Sequence, residues 1–387
     1  MKSKSIKNLI VFSVIILLSI SSSSVIGNDN LKDNFKSNQE SYSYYNYQNM
    51  TDLLHDLEAN YSEIMSLESI GTTYEGRDIW MVKLSDNVNL NENEPGVLLM
   101  GAHHGNEKVS FEAPIYFIKH IVENYEKENT DDDQDGLVNE DPIDGFDNDD
   151  DGLIDEDPSE DRVKEVVNNT QIFLIPMVSP DGVEANTRKN CVPNYGPFGF
   201  RRKVTSYGVN LNRNYRYKWY LYPIFPWRFN FVFNTLDRSP NYKGPYPFSE
   251  NETRAVKNFV ESQNIKISLS YHCYGEIIFY PWTHTTGRTP DEDLYISIGE
   301  NMSKINKYRL YEGRTLIPIL GGNIGTSDNW LYGVRGIIAY TIELCRSRAP
   351  TDPVVVLDAC FKHVGVGLYV CERASSIQID FWLFPWC

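Results

Sequence analysis

The sequence offers no clear membrane span, since a crossing helix needs roughly 20 predominantly apolar residues. Its most apolar stretch, LIVFSVIILLSI, is only about a dozen residues long and follows Lys2, Lys4 and Lys7. With the small residues of SSSSVIGN behind it, that arrangement predicts a signal peptide over residues 1–27, cut after Gly27, with an uncleaved anchor as the other reading. The protein is therefore expected to be secreted, and the triplets at Asn49, Asn60, Asn168, Asn251 and Asn301 are compatible with export. The aromatic end IDFWLFPWC is also too short to span a bilayer.

Cysteine is sparse. Cys191, Cys273, Cys345, Cys360, Cys371 and Cys387 match no zinc-ribbon spacing, and their even number permits several disulfide pairings without selecting one.

Basic residues are missing altogether from one segment. Between Asp131 and Asp161 there are 16 Asp or Glu and no Lys or Arg, leaving 37 acids against 36 bases elsewhere. The formal charge of -17 is thus one insert, residues 129–161, and no nucleic-acid partner is expected. The insert repeats itself: Asp131, Asp133 and Asp135 precede Gly136, and Asp147, Asp149 and Asp151 precede Gly152. Carboxylates at alternate positions before a glycine wrap oxygen ligands around calcium, so these six aspartates are expected to bind Ca2+. Pro142 and Pro158 stand where an EF-hand carries its bidentate glutamate, so the repeats resemble half-loops. A solvated acidic loop is the alternative.

What is present is enough for a large core: 41% of the 387 residues are hydrophobic and 13% aromatic. Helical spacing of apolar residues marks NMTDLLHDLEANYSEIM and SFEAPIYFIKHIVENY, and SENETRAVKNFVESQ reads as a capped helix. IWMVKLS, GVLLMGA, TQIFLIPMV, IKISLSYH and IIAYTIEL read as strands. Apolar strands separated by helices predict an α/β fold with a mixed, mostly parallel central sheet covered by helices on both faces. Sites on such sheets collect at the carboxyl ends of strands.

His103 and His104 end one of these strands, and Glu107 opens the next helix. His104 and Glu107, three apart across a tight turn, can place an imidazole nitrogen and a carboxylate on one ion; His103 could pair with Glu107 instead. Zinc in a hydrolase takes three protein ligands and keeps one position open. Of the seven histidines, only His272 also ends a predicted strand.

These residues carry a resemblance. From Tyr45 to about residue 372, LESIGTTYEGRDIWMVKLS, HGNE, PMVSPDGVEAN, GVNLNRNYRYKW, YKGPYPFSENET, SYHCYG and YTIEL occur in the order and spacing of the zinc metallocarboxypeptidases of the carboxypeptidase A/B/E type. The resemblance implies a catalytic domain over 45–380, behind a polar linker at 28–44, that removes residues from the C-termini of peptides or proteins. It implies His104, Glu107 and His272 as zinc ligands and Glu343 as general base. It implies Arg202 as the group that stabilises the oxyanion, Asn212 and Arg213 as the grip on the substrate's free carboxylate, and Tyr274 as a subsite residue. The 13-residue interval from Trp330 to Glu343 is the one the family keeps, so the resemblance implies Asp328 at the base of the side-chain pocket and a preference for basic C-terminal residues; capping of the turn before Trp330 is its other reading. TLIPILGGNIGTSDNW departs from the family, because neither Ile317 nor Gly321 is the mobile tyrosine found there. A cell-wall peptide hydrolase of the same family, or an inactive calcium-stabilised binding module on this fold, are the alternative functions.

Overall fold

The computed structural model describes residues 41–127, 160–191, 208–220, 235–316 and 323–378. The signal segment, nearly all of the linker, both aspartate repeats, Arg202, Ile317, Gly321 and Cys387 lie outside the described residues.

The described strands are β1 (Met65–Thr72), β2 (Asp78–Leu84), β3 (Gly96–Met100), β4 (Gln171–Ile175), β5 (Ile265–Cys273), β6 (Ile277–Tyr280), β7 (Arg309–Glu312) and β8 (Ile338–Leu344). They form one sheet in the order β1-β2-β4-β3-β5-β8-β6-β7. The centre is parallel, β4 with β3, β3 with β5 and β5 with β8, whereas β2 and β6 join it antiparallel. The mixed, mostly parallel sheet expected from the sequence is therefore present.

The described helices are α1 (Tyr47–Asn60), α2 (Val109–Asn124), α3 (Glu160–Asn169), α4 (Pro180–Glu184), α5 (Asn251–Ser262), α6 (Glu292–Asn306), α7 (Ser327–Arg335) and α8 (Pro353–Ala374). One face of the sheet is covered by a core that includes Leu54, Phe117, Ile298 and Val364 from α1, α2, α6 and α8. The other is covered by Val256 and Phe259 of α5 and Trp330 and Leu331 of α7. α8 is apolar and long enough to cross a membrane by composition, but most of it is buried inside the fold. It begins as its sequence dictates, with the Asp352 side chain accepting from Val354 N and Pro353 in the first turn, where a missing N–H costs nothing.

Two expectations are corrected in detail. The first helix stops at Asn60 rather than running to Met65, because Ile64 and Met65 are needed in the core at the entry to β1. α5 has no side-chain cap: Ser249 donates to Glu250 Oε1 and accepts from Asn214 Nδ2 instead.

Candidate active site

Alternation along β5 and β8 builds the floor of the site. Ile267, Leu269 and Tyr271 on β5, and Ile338, Tyr340 and Ile342 on β8, point into the core under α2 and α8. With a side-chain period of two, Ser268, Ser270 and His272, and likewise Thr341 and Glu343, must face the other way. The parallel register sets His272 beside Glu343.

The other two ligand candidates come from the turn after β3. Its shape depends on a backbone contact with the start of α4: a Cβ on Gly105 would lie 1.9 Å from the carbonyl carbon of Gly182. Glycine at 105 is what allows the His104–Glu107 turn and the Pro180–Gly182 turn to touch in this way. The hydroxyl of Ser110, accepting from Ala102 N, ties the first turn of α2 back to the strand end.

His104, Glu107 and His272 offer ligand atoms that all lie within 4.8 Å of one another, and each side chain is buried. His104 Nδ1 is 2.9 Å from Glu107 Oε1, His272 Nδ1 is 3.0 Å from Glu107 Oε2, and the two Nδ1 atoms are 3.2 Å apart. On the far sides of the rings, Asn210 Oδ1 is 2.9 Å from His104 Nε2, and Ser270 Oγ is 3.3 Å from His272 Nε2. The Asn210 acceptor favours a proton on His104 Nε2 and leaves the His104 Nδ1 lone pair turned to the centre. Burial, helped by the neighbouring Arg188 cation, lowers His104 to about 3, so that ring is neutral and able to ligate. Burial pushes Glu107 toward its neutral form, but the two imidazoles hold its carboxyl well below the usual range. Two imidazoles and a carboxylate fit a zinc ion that keeps a further position for water or substrate.

Two charged groups face this cluster. Burial first, and the Glu107 charge second, push the Glu343 carboxyl up to about 7, against the opposing pull of His272, Arg188 and Arg213. Arg188 Nη1 lies 2.7 Å from Glu107 Oε1 and 3.2 Å from His104 Nδ1.

A second constellation adjoins the first. The Asn212 side chain spans the two, with Nδ2 3.2 Å from His272 Nε2 and Oδ1 accepting from Ser327 N at 2.8 Å. Arg213 is buried, donating from Nη1 to Asn212 O at 2.6 Å and from Nη2 to Asn323 Oδ1 at 2.8 Å. Asp328, in the first turn of α7, is 2% exposed and accepts from Asn329 N at 2.8 Å. Burial raises its pKa, opposed by hydrogen bonds from Thr326 and Asn329 and by the Arg213 charge.

The fold thus gathers His104, Glu107, His272, Glu343, Asn212, Arg213 and Asp328 from segments far apart in the chain. His103 belongs to a different network: its Nε2 is 2.9 Å from Tyr215 Oη, its Nδ1 3.2 Å from Ser270 Oγ, and its ring stacks on His272. Tyr274 is 54% exposed, beyond the end of β5, with the Arg348 guanidinium 5.7 Å from its ring centroid. Sequence reasoning missed Arg188 and Asn210. Arg188 sits in TRK, the first of two basic runs between PDG and NLNRN, and the second, FRRK, drew the assignment to Arg202. Among the described cysteines none is bridged.

A family model described as zinc carboxypeptidase matches residues 50–354, which contain all of these groups. The chain belongs to the zinc carboxypeptidase family. It is similar to a zinc carboxypeptidase of Saccharothrix mutabilis subsp. capreolus, 29% identical over 347 residues, covering 84% of this chain and 69% of that protein. Carboxypeptidase B of Astacus astacus is 24% identical over 315 residues, covering 78% of this chain and 86% of the relative. Among solved structures, thrombin-activatable fibrinolysis inhibitor superposes with a TM-score of 0.66 at 18% identity, covering 87% of this chain and 75% of the other. Carboxypeptidase A of Helicoverpa armigera superposes with a TM-score of 0.65 at 15% identity, covering 96% and 81% of the two chains. The protein is a metallocarboxypeptidase, a hydrolase of a zinc-dependent family whose substrates are peptide C-termini.

Proposed function

We propose that the enzyme removes C-terminal residues, with a preference for basic ones, using Glu343 as general base and Arg188 as the oxyanion donor. The observation that carries this reading is the placement of Glu343 beside His272, on the sheet face that also holds the His104–Glu107 turn.

Zinc held by His104, Glu107 and His272 would supply a Lewis acid for the scissile carbonyl and lower the pKa of a water. Glu343 takes a proton from the attacking water on its carboxylate and returns it to the leaving amine. Arg188, whose guanidinium reaches the cluster, hydrogen-bonds the oxygen on which negative charge develops, the role expected of Arg202. Asn212 and Arg213 bind the free carboxylate of the substrate, which restricts cleavage to chain ends. The buried Asp328 has no lysine or arginine in salt-bridge contact among the described residues, so a substrate Lys or Arg would supply the missing countercharge. Tyr274, at the exposed rim, contacts the residue on the other side of the scissile bond.

The test is a panel of N-blocked dipeptides with free and amidated C-termini, with and without a chelator. Chelator-sensitive release from the free acids alone supports the reading. Cleavage of the amides at equal rate overturns the carboxylate grip.

Export, with cleavage after Gly27, and calcium binding by Asp131, Asp133, Asp135, Asp147, Asp149 and Asp151 are further parts of the proposal, supported by the sequence pattern. Mature protein beginning at Asn28, and a melting temperature that rises when millimolar calcium replaces chelator, are the expected results.

A further inference from the structure

Arg213 is more than nine-tenths buried, and its Nε has no hydrogen-bond partner among the described residues. A guanidinium has five N–H donors, and one bond each to Asn212 O and Asn323 Oδ1 leaves Nε without a protein partner in a buried position. An unsatisfied buried donor of this kind is costly unless an acceptor arrives.

The backbone of the residue on its flank is hydrogen-bonded through both its N–H and its carbonyl. Asn323 N donates to Thr283 O at 2.7 Å, and Asn323 O accepts from Thr283 Oγ1 at 3.4 Å and from the buried Asn329 Nδ2 at 3.5 Å. The turn that follows is pressed onto the arginine's own backbone: Gly325 has φ +67°, Tyr215 N donates to its carbonyl at 3.0 Å, and a Cβ on it would lie 2.2 Å from Arg213 O. The Asn323 amide is therefore launched from fixed backbone, and its contact with a cation dictates which end is oxygen. Oδ1 must face Arg213, so Nδ2, which has no hydrogen-bond partner among the described residues, stands beside the guanidinium as a second donor.

We propose that Asn323 is a third member of the carboxylate-binding group: Oδ1 fixes the Arg213 fork, and Nδ2 donates to the substrate's free C-terminal carboxylate. The inference rests on the carboxypeptidase reading above. It assigns to the turn after the undescribed residues 317–322 a role in binding the main chain of the substrate, distinct from that of Asp328 in binding its side chain.

The experiment uses zinc-loaded protein with N-benzoyl-glycyl-arginine, N-benzoyl-glycyl-phenylalanine and their C-terminal amides. Equilibrium binding is measured on the Glu343→Gln background, and steady-state kinetics on the active enzyme. Asn323→Ala is expected to weaken binding of both free acids and raise their KM by about tenfold, with kcat within about twofold and binding of the amides unchanged. The same substitution on an Arg213→Lys background is expected to weaken binding again, because Nδ2 acts on the carboxylate directly. Zinc content and melting temperature are read alongside, and a variant that has lost either is replaced by Asn323→Ser. Wild-type affinity in Asn323→Ala, a loss confined to one end residue, or no further loss on the Arg213→Lys background would each overturn the proposal. A wild-type enzyme that cleaves no free acid would instead overturn the underlying carboxypeptidase reading.

Discussion

His272 and Glu343 are register partners across the parallel strands β5 and β8, so an imidazole of the candidate metal cluster and a carboxylate share one face of the sheet. Rigid strands hold both, and in the proposed mechanism Glu343 would act on water beside the cluster without being a ligand itself.

That division of labour predicts separable losses. Glu343→Gln is expected to retain stoichiometric zinc and to lose kcat by about a hundredfold or more. His272→Ala should lose zinc and activity together. Metal analysis beside single-turnover rates checks both, and near wild-type turnover in Glu343→Gln would remove it from the chemistry.

Arg188 and Arg202 make competing predictions. Arg188→Ala is expected to lower kcat by about 10²–10³-fold with little change in KM, the signature of a donor used in the transition state. Arg202→Ala should stay near wild type. The reverse pattern would restore the assignment drawn from sequence.

The role proposed for Asp328 is in side-chain choice. The wild type is expected to favour C-terminal Arg over Phe in kcat/KM by about a hundredfold, and Asp328→Asn should remove most of that ratio. Equal values in the wild type, or a preference for Phe that survives the substitution, would leave Asp328 as a residue of the α7 first turn only.

Glu252 predicts a pH-dependent stability remote from the metal. It is 1% exposed, and burial, reinforced by the charges of Glu250 and Asp181, pushes it up to about 8, against a hydrogen bond from Asn190. Because the folded-state pKa is raised, the neutral carboxyl contributes fully below the unfolded pKa of about 4.5, and that contribution is lost as pH rises through about 8. Melting curves from pH 5 to pH 9 should therefore fall more steeply for the wild type than for Glu252→Gln, with a difference on the order of a few kcal/mol at the alkaline end. Parallel curves would show that Glu252 is ionised in the folded protein throughout.

The candidate metal cluster was legible in part from local rules, three residues across a tight turn for His104 and Glu107 and a strand-end position for His272, while the choice of His104 over His103 and the role of Glu343 came from the family resemblance. Arg188 was not legible, since its approach depends on how α4 and the following loop pack. The Asn323–Arg213 contact joins residues 110 apart through a turn that departs from the family pattern, and no spacing in the sequence announces it. Among the elements, β6 and β7 are four residues each, too short to show alternation. α8 was hidden by PVVVLDACFKHVGVGLYV, whose β-branched residues read weakly as helix until Asp352 and Pro353 are seen to start it.

The contact between Gly105 and Gly182 makes two turns, 77 positions apart, a single mechanical part. A methyl group on Gly105 would meet the Gly182 and Val183 backbone, and one on Gly182 would meet Ser179 Oγ and the carbonyl oxygen of Lys189. Compensation for such a change would have to come from a shift of a whole turn, which also carries Asp181 and its bonds to Thr73, Glu75 and Arg77. Second-site suppressors of Gly105→Ala should accordingly be rare, and any that arise should map to residues 179–189 or to the Thr73–Arg77 hairpin, outside the His104–Glu107–His272 cluster.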